Sequence, residues 1–177
     1  MSRSRAATAD QALQLEDQLS AFFGAHYDRL IRLATLVCHS AAQVEDAVQA
    51  AMEQAWRRRN TLRDAERIRP WLDRIVVRES IRLNRRPWWA QLRAATDAER
   101  DAIPDRRTGI DPAWIAVATA MQRLPAEQRA AIALHLYAGY SVEETAEIMR
   151  ASLETTRSRL RLARGRLRQQ LGDEVGP

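Results

Sequence analysis

The sequence predicts an all-α protein built of two small helical domains that are joined by a flexible linker. Good helix formers (Ala, Leu, Arg, Glu and Gln) dominate the 177 residues, whereas runs of β-branched residues are nearly absent. Only six Gly and six Pro punctuate the chain. Apolar residues recur at helical spacing in two stretches, and a segment without an apolar stripe separates them.

The distribution of apolar residues, proline and glycine divides the chain into four segments. Residues 1–11 are predicted to be a disordered N-terminus, and residues 12–88 to form the first helical domain. Residues 89–112 carry mixed charges, two prolines and a glycine, which is typical of a linker. Residues 113–172 resume the helical pattern and are predicted to form the second domain.

Three helices are predicted in the first domain. The first runs from about Ala12 to His39, with a break near Gly24. The second starts near Ala42, carries a broad apolar stripe and ends at Arg57–Arg59, whose cations favour a helix C-terminus. The third starts around Pro70, because proline is tolerated in the first turn of a helix.

The second domain ends in a predicted helix-turn-helix. Its helices are expected at 113–123, 126–138, 142–149 and 153–171. Gly139 lies where a helix C-terminus needs a left-handed residue. Ser141 and Glu144 form a capping box for the third of these helices, and Ser152 can cap the fourth. Two short helices with so tight a turn are typical of a motif whose second helix enters the DNA major groove.

Charge is divided unevenly along the chain. All 28 basic residues are Arg, and the formal net charge of +5 favours a polyanionic partner such as nucleic acid. Acidic residues outnumber arginines between Asp10 and Gln54, whereas arginines dominate from Arg57 to Arg86. A division of this kind predicts two different partners for the two parts of the chain.

The third helix carries a stripe of arginines at intervals of three or four residues: Arg74, Arg78, Arg82 and Arg85. Like charges four residues apart on a helix repel each other by a few tenths of a kcal/mol. Phosphate groups that neutralise the stripe would account for it. The competing interpretation is internal pairing with Asp73 and Glu79, which cannot satisfy all four arginines.

Side chains that can bond base edges or phosphates lie in the turn of the helix-turn-helix and on the exposed face at the start of its last helix. These candidates are Arg150, Ser152, Glu154, Thr155, Arg157, Ser158 and Arg161. A solvated amphipathic helix is the alternative interpretation.

The polar face of the second helix of the first domain is acidic instead, with Glu45, Asp46, Gln49 and Glu53. It is either a solvated face or a face that docks on another protein.

The sequence does not predict an enzyme, a metal site or a cofactor. His26, His39 and His135 are scattered, and the neighbouring pair Cys38-His39 falls short of the three or four ligands that a zinc site needs. No Gly-rich phosphate-binding loop is present. With a single cysteine, no signal peptide and no apolar run long enough to cross a bilayer, we expect a cytoplasmic protein that does not insert into membranes.

Four segments resemble the extracytoplasmic-function class of RNA polymerase sigma factors, in that family's order and spacing. VEDAVQAAMEQAW resembles "EDLVQEVFLRAW", and PWLDRI resembles "PWLYRIARN". LPAEQR followed by YAGYSVEETA is similar to "LPxxQRxxxxL…GxSxxEIA", and TTRSRLRLAR to "GTVKSRLHRAR". The four matching segments are residues 44–56, 70–75, 124–146 and 155–164.

This resemblance implies a division of labour. The acidic face with Asp46 and Gln49 would bind the clamp helices of the largest polymerase subunit. The third helix and adjoining loop would engage the −10 promoter element, through Trp71 and Arg86 as well as the arginine stripe. The helix-turn-helix would read the −35 element, and the protein's partners would be core RNA polymerase and promoter DNA. A separate anti-sigma factor is a possible further partner, since members of the family are commonly held inactive by one.

Two alternatives to a sigma factor remain at this point. One is a free-standing helix-turn-helix regulator, although the sequence shows no dimerisation element to match two half-sites. The other is a polymerase- or regulator-binding protein that no longer starts transcription. The chain also departs from the family pattern, since Arg78 and Arg82 stand where Asn and Asp are usual. Arg150 likewise replaces the small residue of the turn.

Overall fold

The structure, a computed structural model, describes residues 2–62, 64, 67–85 and 112–172, with side chains from residue 17 to residue 171 apart from residue 112. All regular elements in these ranges are helices, which confirms the predicted all-α class. The α-helices are α1 (Ser2–Val37), α2 (Ala41–Arg58), α3 (Ile68–Asn84), α4 (Pro112–Gln122), α5 (Ala126–Ile132), α6 (Val142–Met149) and α7 (Leu153–Gly172). A 3-10 turn (Arg59–Thr61) extends α2, and a π segment (Ala133–Tyr137) extends α5.

Helices α1, α2 and α3 pack against one another as a bundle. Each contributes an apolar stripe with the three- and four-residue spacing that the sequence predicts, and burial of these stripes stabilises the bundle. The fully buried side chains include Leu19, Leu30, Leu33, Val37, Val48, Ala51, Leu72 and Val76. The acidic face of α2 is thereby left on the surface.

Helix α1 differs from its prediction at its start and at Gly24. It begins at Ser2, where disorder was expected over residues 1–11, and it continues through Gly24, where a break was expected. Gly24 is exposed, and nothing lies within 4 Å of the position of an added Cβ. Glycine costs a helix interior about 1 kcal/mol relative to alanine. Packing of the flanking residues Phe23 and Leu30 offsets this cost.

The second group of helices, α4 to α7, is organised around short caps. The hydroxyl of Ser141 accepts from the Glu144 amide at 3.0 Å, and the Glu144 carboxylate accepts from the Ser141 amide at 2.8 Å. Gly139 has a φ of +80°, which an L-residue rarely adopts. The predicted capping box and the predicted left-handed glycine are therefore confirmed. The predicted linker, 89–112, lies outside the described residues except at Pro112.

The two groups of helices pack closely against each other. Helix α3 contacts α6, and α1 contacts α4 and α5. Their buried apolar side chains form one continuous cluster that includes Leu33 and Val76 from the first group and Leu134 and Ile148 from the second. The sequence did not predict this contact, because the apolar stripes of each group are accounted for by burial within that group.

Candidate functional site

Helices α6 and α7 form the helix-turn-helix. Residues Arg150–Ser152 make the turn, and the Ser152 hydroxyl accepts from the Thr155 amide at 3.1 Å, which caps α7. Thr156, Leu160 and Ala163 bury one face of α7 against the rest of the domain. The opposite face of its first turns is therefore free to meet DNA, as in other proteins with this motif.

Most of the sequence-predicted −35 residues lie on that outer face. Arg150, Ser152, Glu154, Thr155, Arg157 and Arg161 are exposed, and Ser158 is half-buried. Arg157 lies 3.6 Å from the Glu143 carboxylate, and both side chains are well exposed. Such an exposed ion pair contributes little to stability, so a phosphate or base can displace it at low cost. The Ser152 hydroxyl already donates to the Thr155 hydroxyl at 2.7 Å and has a capping role besides any contact with DNA.

Arg150 ends α6 in the left-handed region, with φ of 51° and ψ of 46°. It is the one non-glycine residue with positive φ among the described residues. A Cβ in this conformation costs about 1–2 kcal/mol, a cost that glycine alone avoids. The cation placed next to the recognition helix offers a physical reason to tolerate that cost.

Arg150→Gly is expected to raise stability and weaken DNA binding at the same time. Relief of the Cβ conflict should exceed the extra entropy cost of glycine, for a net gain of up to about 1 kcal/mol. Thermal melting would show this as a rise of a few degrees, and an electrophoretic shift assay would show the loss of affinity. Arg150→Lys keeps both the strain and the charge, so it should change neither measurement appreciably; a destabilised Arg150→Gly protein would contradict the account.

The arginine stripe of α3 divides into two pairs. Arg82 donates to the Glu79 carboxylate at 2.7 Å, and Arg85 donates to the carboxylate of Glu127 in the second group of helices. The Arg85 hydrogen bond lowers the pKa of Glu127 below its usual value. The expected pairing of Glu79 with the stripe is therefore present, whereas Asp73 pairs elsewhere.

Arg74 and Arg78 make no ion pair with any described residue. Partial desolvation lowers the pKa of Arg78, and the positive charges of Arg150, Arg74 and Arg58 lower it further. The charges that act on Arg78 therefore come from both groups of helices. Trp71 is half-buried against the core beside this stripe, and Arg86 lies outside the described residues.

The acidic face of α2 is fully on the surface. Glu45, Asp46, Gln49 and Glu53 are all exposed, and Glu53 makes only an exposed contact of 3.5 Å with Arg57. Trp56, near the end of α2, is 40% exposed and continues this face. Trp56 and the 44% exposed Tyr27 flank an apolar groove of about 690 Å³ between α1 and α2. Exposure of two large aromatic side chains beside an acidic face is typical of a protein-docking surface.

Asp73 is fully buried and lies at the contact between α3 and the second group of helices. Arg29 binds its carboxylate through two nitrogens, one at 2.7 Å, and the Tyr140 hydroxyl donates to it at 2.7 Å. The hydrogen bond to Asp73 raises the pKa of Arg29, and burial raises that of Tyr140. The residue at position 73 thus serves the interior rather than the arginine stripe, and reversing its charge would disturb the fold.

Arg129 is a second buried charge that the sequence analysis missed. Its Nε donates to the Val37 carbonyl at 2.8 Å, and one terminal nitrogen donates to the Leu124 carbonyl at 2.9 Å. Burial lowers its pKa to about 10. Its place in the LPAEQR segment gave no sign of burial, because the segment is polar and short.

An exposed helix-turn-helix, arginines of α3 that form no ion pair with a described residue and an acidic surface on α2 are together typical of DNA-binding transcription proteins. Residues 22–90 match the family "Sigma-70 region 2", and residues 114–167 match "Sigma-70, region 4". The chain is 37% identical to the ECF RNA polymerase sigma factor SigM of Mycobacterium tuberculosis over 88% of its length and 76% of that protein's. It is 30% identical to SigL of the same species over 96% of both chains.

Two solved structures share the fold across both groups of helices. One is the sigma factor RpoE of Bartonella quintana in complex with the anti-sigma factor NepR, with 26% identity and a TM-score of 0.66 over 95% of this chain and 99% of that one. The other is CnrH in complex with the cytosolic domain of CnrY, with 23% identity and a TM-score of 0.64 over 93% of this chain and 96% of that one.

The chain therefore belongs to the ECF family of RNA polymerase sigma factors, which confirms the resemblance. It is a sigma factor, a protein that binds core RNA polymerase and directs it to promoter DNA, and a free-standing regulator is not favoured. In the part of the chain that the structure describes, no helix is long and apolar enough to span a membrane. The same residues contain no group of three or more His, Cys, Asp or Glu side chains that could hold a metal ion.

Proposed function

We propose that this sigma factor docks on core polymerase through α2, engages the −10 element through α3 and reads the −35 element through α7. The observation that carries the proposal is the exposure of three chemically distinct surfaces on these three helices. The face of α2 is acidic, and the faces of α3 and α7 are basic. Residues 12–88 and 113–172 would act as separate domains that the segment between them joins.

The polymerase surface is proposed to comprise Glu45, Asp46, Gln49 and Glu53, with Trp56 at its end. A basic coiled coil on the polymerase would complement the acidic side chains, which speeds association and selects the partner. The indole of Trp56 is 40% exposed and supplies apolar area that a purely acidic face lacks. Aromatic anchors of this kind carry much of the binding energy in protein interfaces.

The promoter surface is proposed to comprise two sets of side chains. At the −10 element these are Trp71, Arg74, Arg78, Arg82, Arg85 and Arg86. At the −35 element they are Arg150, Ser152, Glu154, Thr155, Arg157, Ser158 and Arg161. Arg74 and Arg78 are the strongest members of the first set, because no carboxylate among the described residues neutralises them. Arg82 and Arg85 must first exchange Glu79 and Glu127 for phosphate.

The cellular location of the protein follows from its proposed partners. Polymerase and promoter DNA are found in the cytoplasm, and we place the protein there. It acts by binding alone, with no catalytic step of its own. The similarity to RpoE, which was solved with an anti-sigma factor, supports a separate anti-sigma chain as a further partner.

Run-off transcription tests the proposed function directly. Purified chain and core polymerase are incubated with pooled promoter-length DNA fragments, and the transcripts are sequenced. The mapped start sites should share two upstream elements near −10 and −35. Transcripts from these start sites should be absent when core polymerase is supplied alone. Start sites that share only one element would show that the two domains do not read promoters as proposed.

Arg74→Ala and Arg78→Ala are each expected to lower open-complex formation and flatten its salt dependence. Each lost phosphate contact should reduce the slope of log affinity against log salt by about 0.7 on a single strand or 0.9 on duplex DNA. The measurement is open-complex formation across a salt series. Arg82→Ala and Arg85→Ala should have smaller effects, since both guanidinium groups already have carboxylate partners.

Arg123→Ala provides the matched control for the salt series. Arg123 is exposed at the end of α4 and lies outside both proposed DNA surfaces. Its loss changes the net charge by the same amount and should leave the slope unchanged. Equal slopes for Arg74→Ala, Arg78→Ala and the control would show that the stripe is a solvated face.

A further inference from the structure

Arg78 on α3 lies within electrostatic range of three other arginines. Arg74 precedes it by four residues, so the two side chains share one face of α3. Desolvation lowers the pKa of Arg78, and the charges of Arg150, Arg74 and Arg58 lower it further. We call Arg58, Arg74, Arg78 and Arg150 the arginine group. Its members belong to α2, to α3 and to the turn that follows α6.

The register of α2 against α3 accounts for the position of Arg58. Asn84, the last residue of α3, donates to the Val37 carbonyl at 2.7 Å, so α3 ends close to the start of α2 and the two helices run antiparallel. The Gln54 amide donates to the Glu79 carboxylate at 3.2 Å, which fixes their register. Arg58 lies one turn beyond Gln54 and is therefore level with the turn of α3 that precedes Glu79.

Arg150 joins the arginine group from the helix-turn-helix. The Tyr140 hydroxyl donates to Asp73, the residue before Arg74, at 2.7 Å, and α6 packs against α3. Arg150 is the C-cap of α6 and has a left-handed backbone, with φ of 51°. A residue with a Cβ adopts this conformation only at a cost, and such strain is concentrated at functional positions. The backbone geometry thus favours a role for this cation.

The arginine group lacks anionic partners within the described part of the chain. None of its four members makes an ion pair with another described residue. The Nε atom of Arg74 is buried and has no hydrogen-bond partner among these residues. Buried polar atoms are nearly always hydrogen-bonded in native proteins, so an orphaned donor of this kind needs an explanation. An acceptor from outside the chain supplies one.

The chemistry of the arginine group indicates what such a ligand is. Guanidinium groups bind phosphate oxygens through pairs of parallel hydrogen bonds. The charges of a DNA strand are spread along its length, with one on each phosphate. Pyrophosphate and the polyphosphate group of a nucleotide instead carry several charges on adjacent phosphorus atoms. Arginines that come from three separate elements toward Arg78 match this second, compact distribution of charge.

We propose that the arginine group is a binding site for a compact polyphosphate anion, either free pyrophosphate or the linked phosphates of a nucleotide. The orphaned Nε of Arg74 donates to one of its oxygens, and the other three guanidinium groups neutralise its charge. Because Arg74 and Arg78 also belong to the proposed −10 surface, the bound anion competes with the −10 strand. The binding site itself goes beyond the proposed function, and only this competition rests on it.

Arg58→Gln tests the site without touching any proposed polymerase or promoter contact. Calorimetric titration of the full chain with pyrophosphate, at low ionic strength and without divalent cations, should show saturable binding at one site. Loss of a hydrogen bond to a charged group should weaken it at least about tenfold. Arg57→Gln is the matched control, because this exposed neighbour pairs with Glu53 at 3.5 Å. Absence of saturable binding, or equal affinities of the two variants, would overturn the proposal.

Two further titrations define the composition of the site and its ligand. Arg150→Gln should weaken pyrophosphate binding as Arg58→Gln does, whereas Arg123→Gln, at an exposed position of α4, should not. AMP, with a single phosphate, should bind at least about tenfold more weakly than pyrophosphate, since it forms fewer charge-assisted hydrogen bonds. Tighter binding of ATP than of pyrophosphate would identify a nucleotide as the ligand, and the reverse order would identify the free anion. Equal affinities for AMP and pyrophosphate would overturn the site.

Displacement of a labelled strand separates failure of the site from failure of the proposed function. A fluorescent −10 single strand from the run-off start sites should be released from the wild-type chain by pyrophosphate. Release from Arg58→Gln should need at least about tenfold more pyrophosphate, in step with its weaker binding. Pyrophosphate that binds without releasing the strand would support the site and count against the −10 role of α3. A strand that is released equally from both proteins would overturn the role of Arg58 in the site.

Discussion

Replacing Asp46 with Arg is expected to abolish binding to core RNA polymerase while leaving the fold intact. Asp46 is exposed on the polar face of α2, and its side chain contributes nothing to the buried stripe of Val44, Val48 and Ala51. If that face meets a basic partner, the reversed charge meets like charge and costs several kcal/mol. A loss of affinity of at least about a hundredfold should follow.

A pull-down against purified core enzyme measures the effect, and circular dichroism on the same preparation measures the fold. Glu147→Arg is the matched control, because it makes the same charge change at an exposed position on α6. Full binding by a folded Asp46→Arg protein would remove the proposed polymerase surface. Weakened binding by both variants would indicate a general effect of charge.

The paired change Arg157→Ala with Arg161→Ala is expected to reduce −35 recognition strongly. Both side chains are exposed on the outer face of α7, while Leu160 beside them is buried. A specific base contact is worth about 1–3 kcal/mol, so loss of two should lower promoter affinity by roughly a hundredfold or more. The melting curve should hardly change, since an exposed substitution usually shifts stability by about 0.5 kcal/mol or less.

Promoter affinity and thermal melting on one preparation distinguish the two roles that these arginines can have. Leu160→Ala serves as the opposite control, because it empties a buried site and should cost about 2–5 kcal/mol of stability. A large loss of stability with unchanged promoter use in the arginine pair would assign both residues to the structure rather than to DNA.

Much of the fold was predictable because local rules decide it. Apolar periodicity located the helices, and the Ser141–Glu144 capping box and Gly139 fixed the start of the helix-turn-helix to the residue. These signals act over a few residues and are visible in a single sequence. Gly24 shows the limit, because packing on both sides of it carries α1 past a residue that local propensity disfavours.

The contact between the domains was not predictable from the same rules. Asp73 meets Tyr140 across 67 positions of sequence, and Arg129 meets Val37 across 92. Polar contacts at such separations have no period, so a charged residue destined for the interior looks like one on a solvated face. The arginine stripe illustrates the consequence: its four members look alike in sequence, yet Arg82 and Arg85 pair with carboxylates whereas Arg74 and Arg78 form no ion pair with any described residue.

Photo-crosslinking in the polymerase–promoter complex tests the division of labour most directly. Benzoylphenylalanine is introduced singly at Gln49, at Trp71 and at Thr155, one position on each proposed surface. The account predicts that Gln49 crosslinks to the largest polymerase subunit, Trp71 to DNA near −10 and Thr155 to DNA near −35. Crosslinks from Trp71 and Thr155 to the same promoter element, or from Gln49 to DNA, would contradict it.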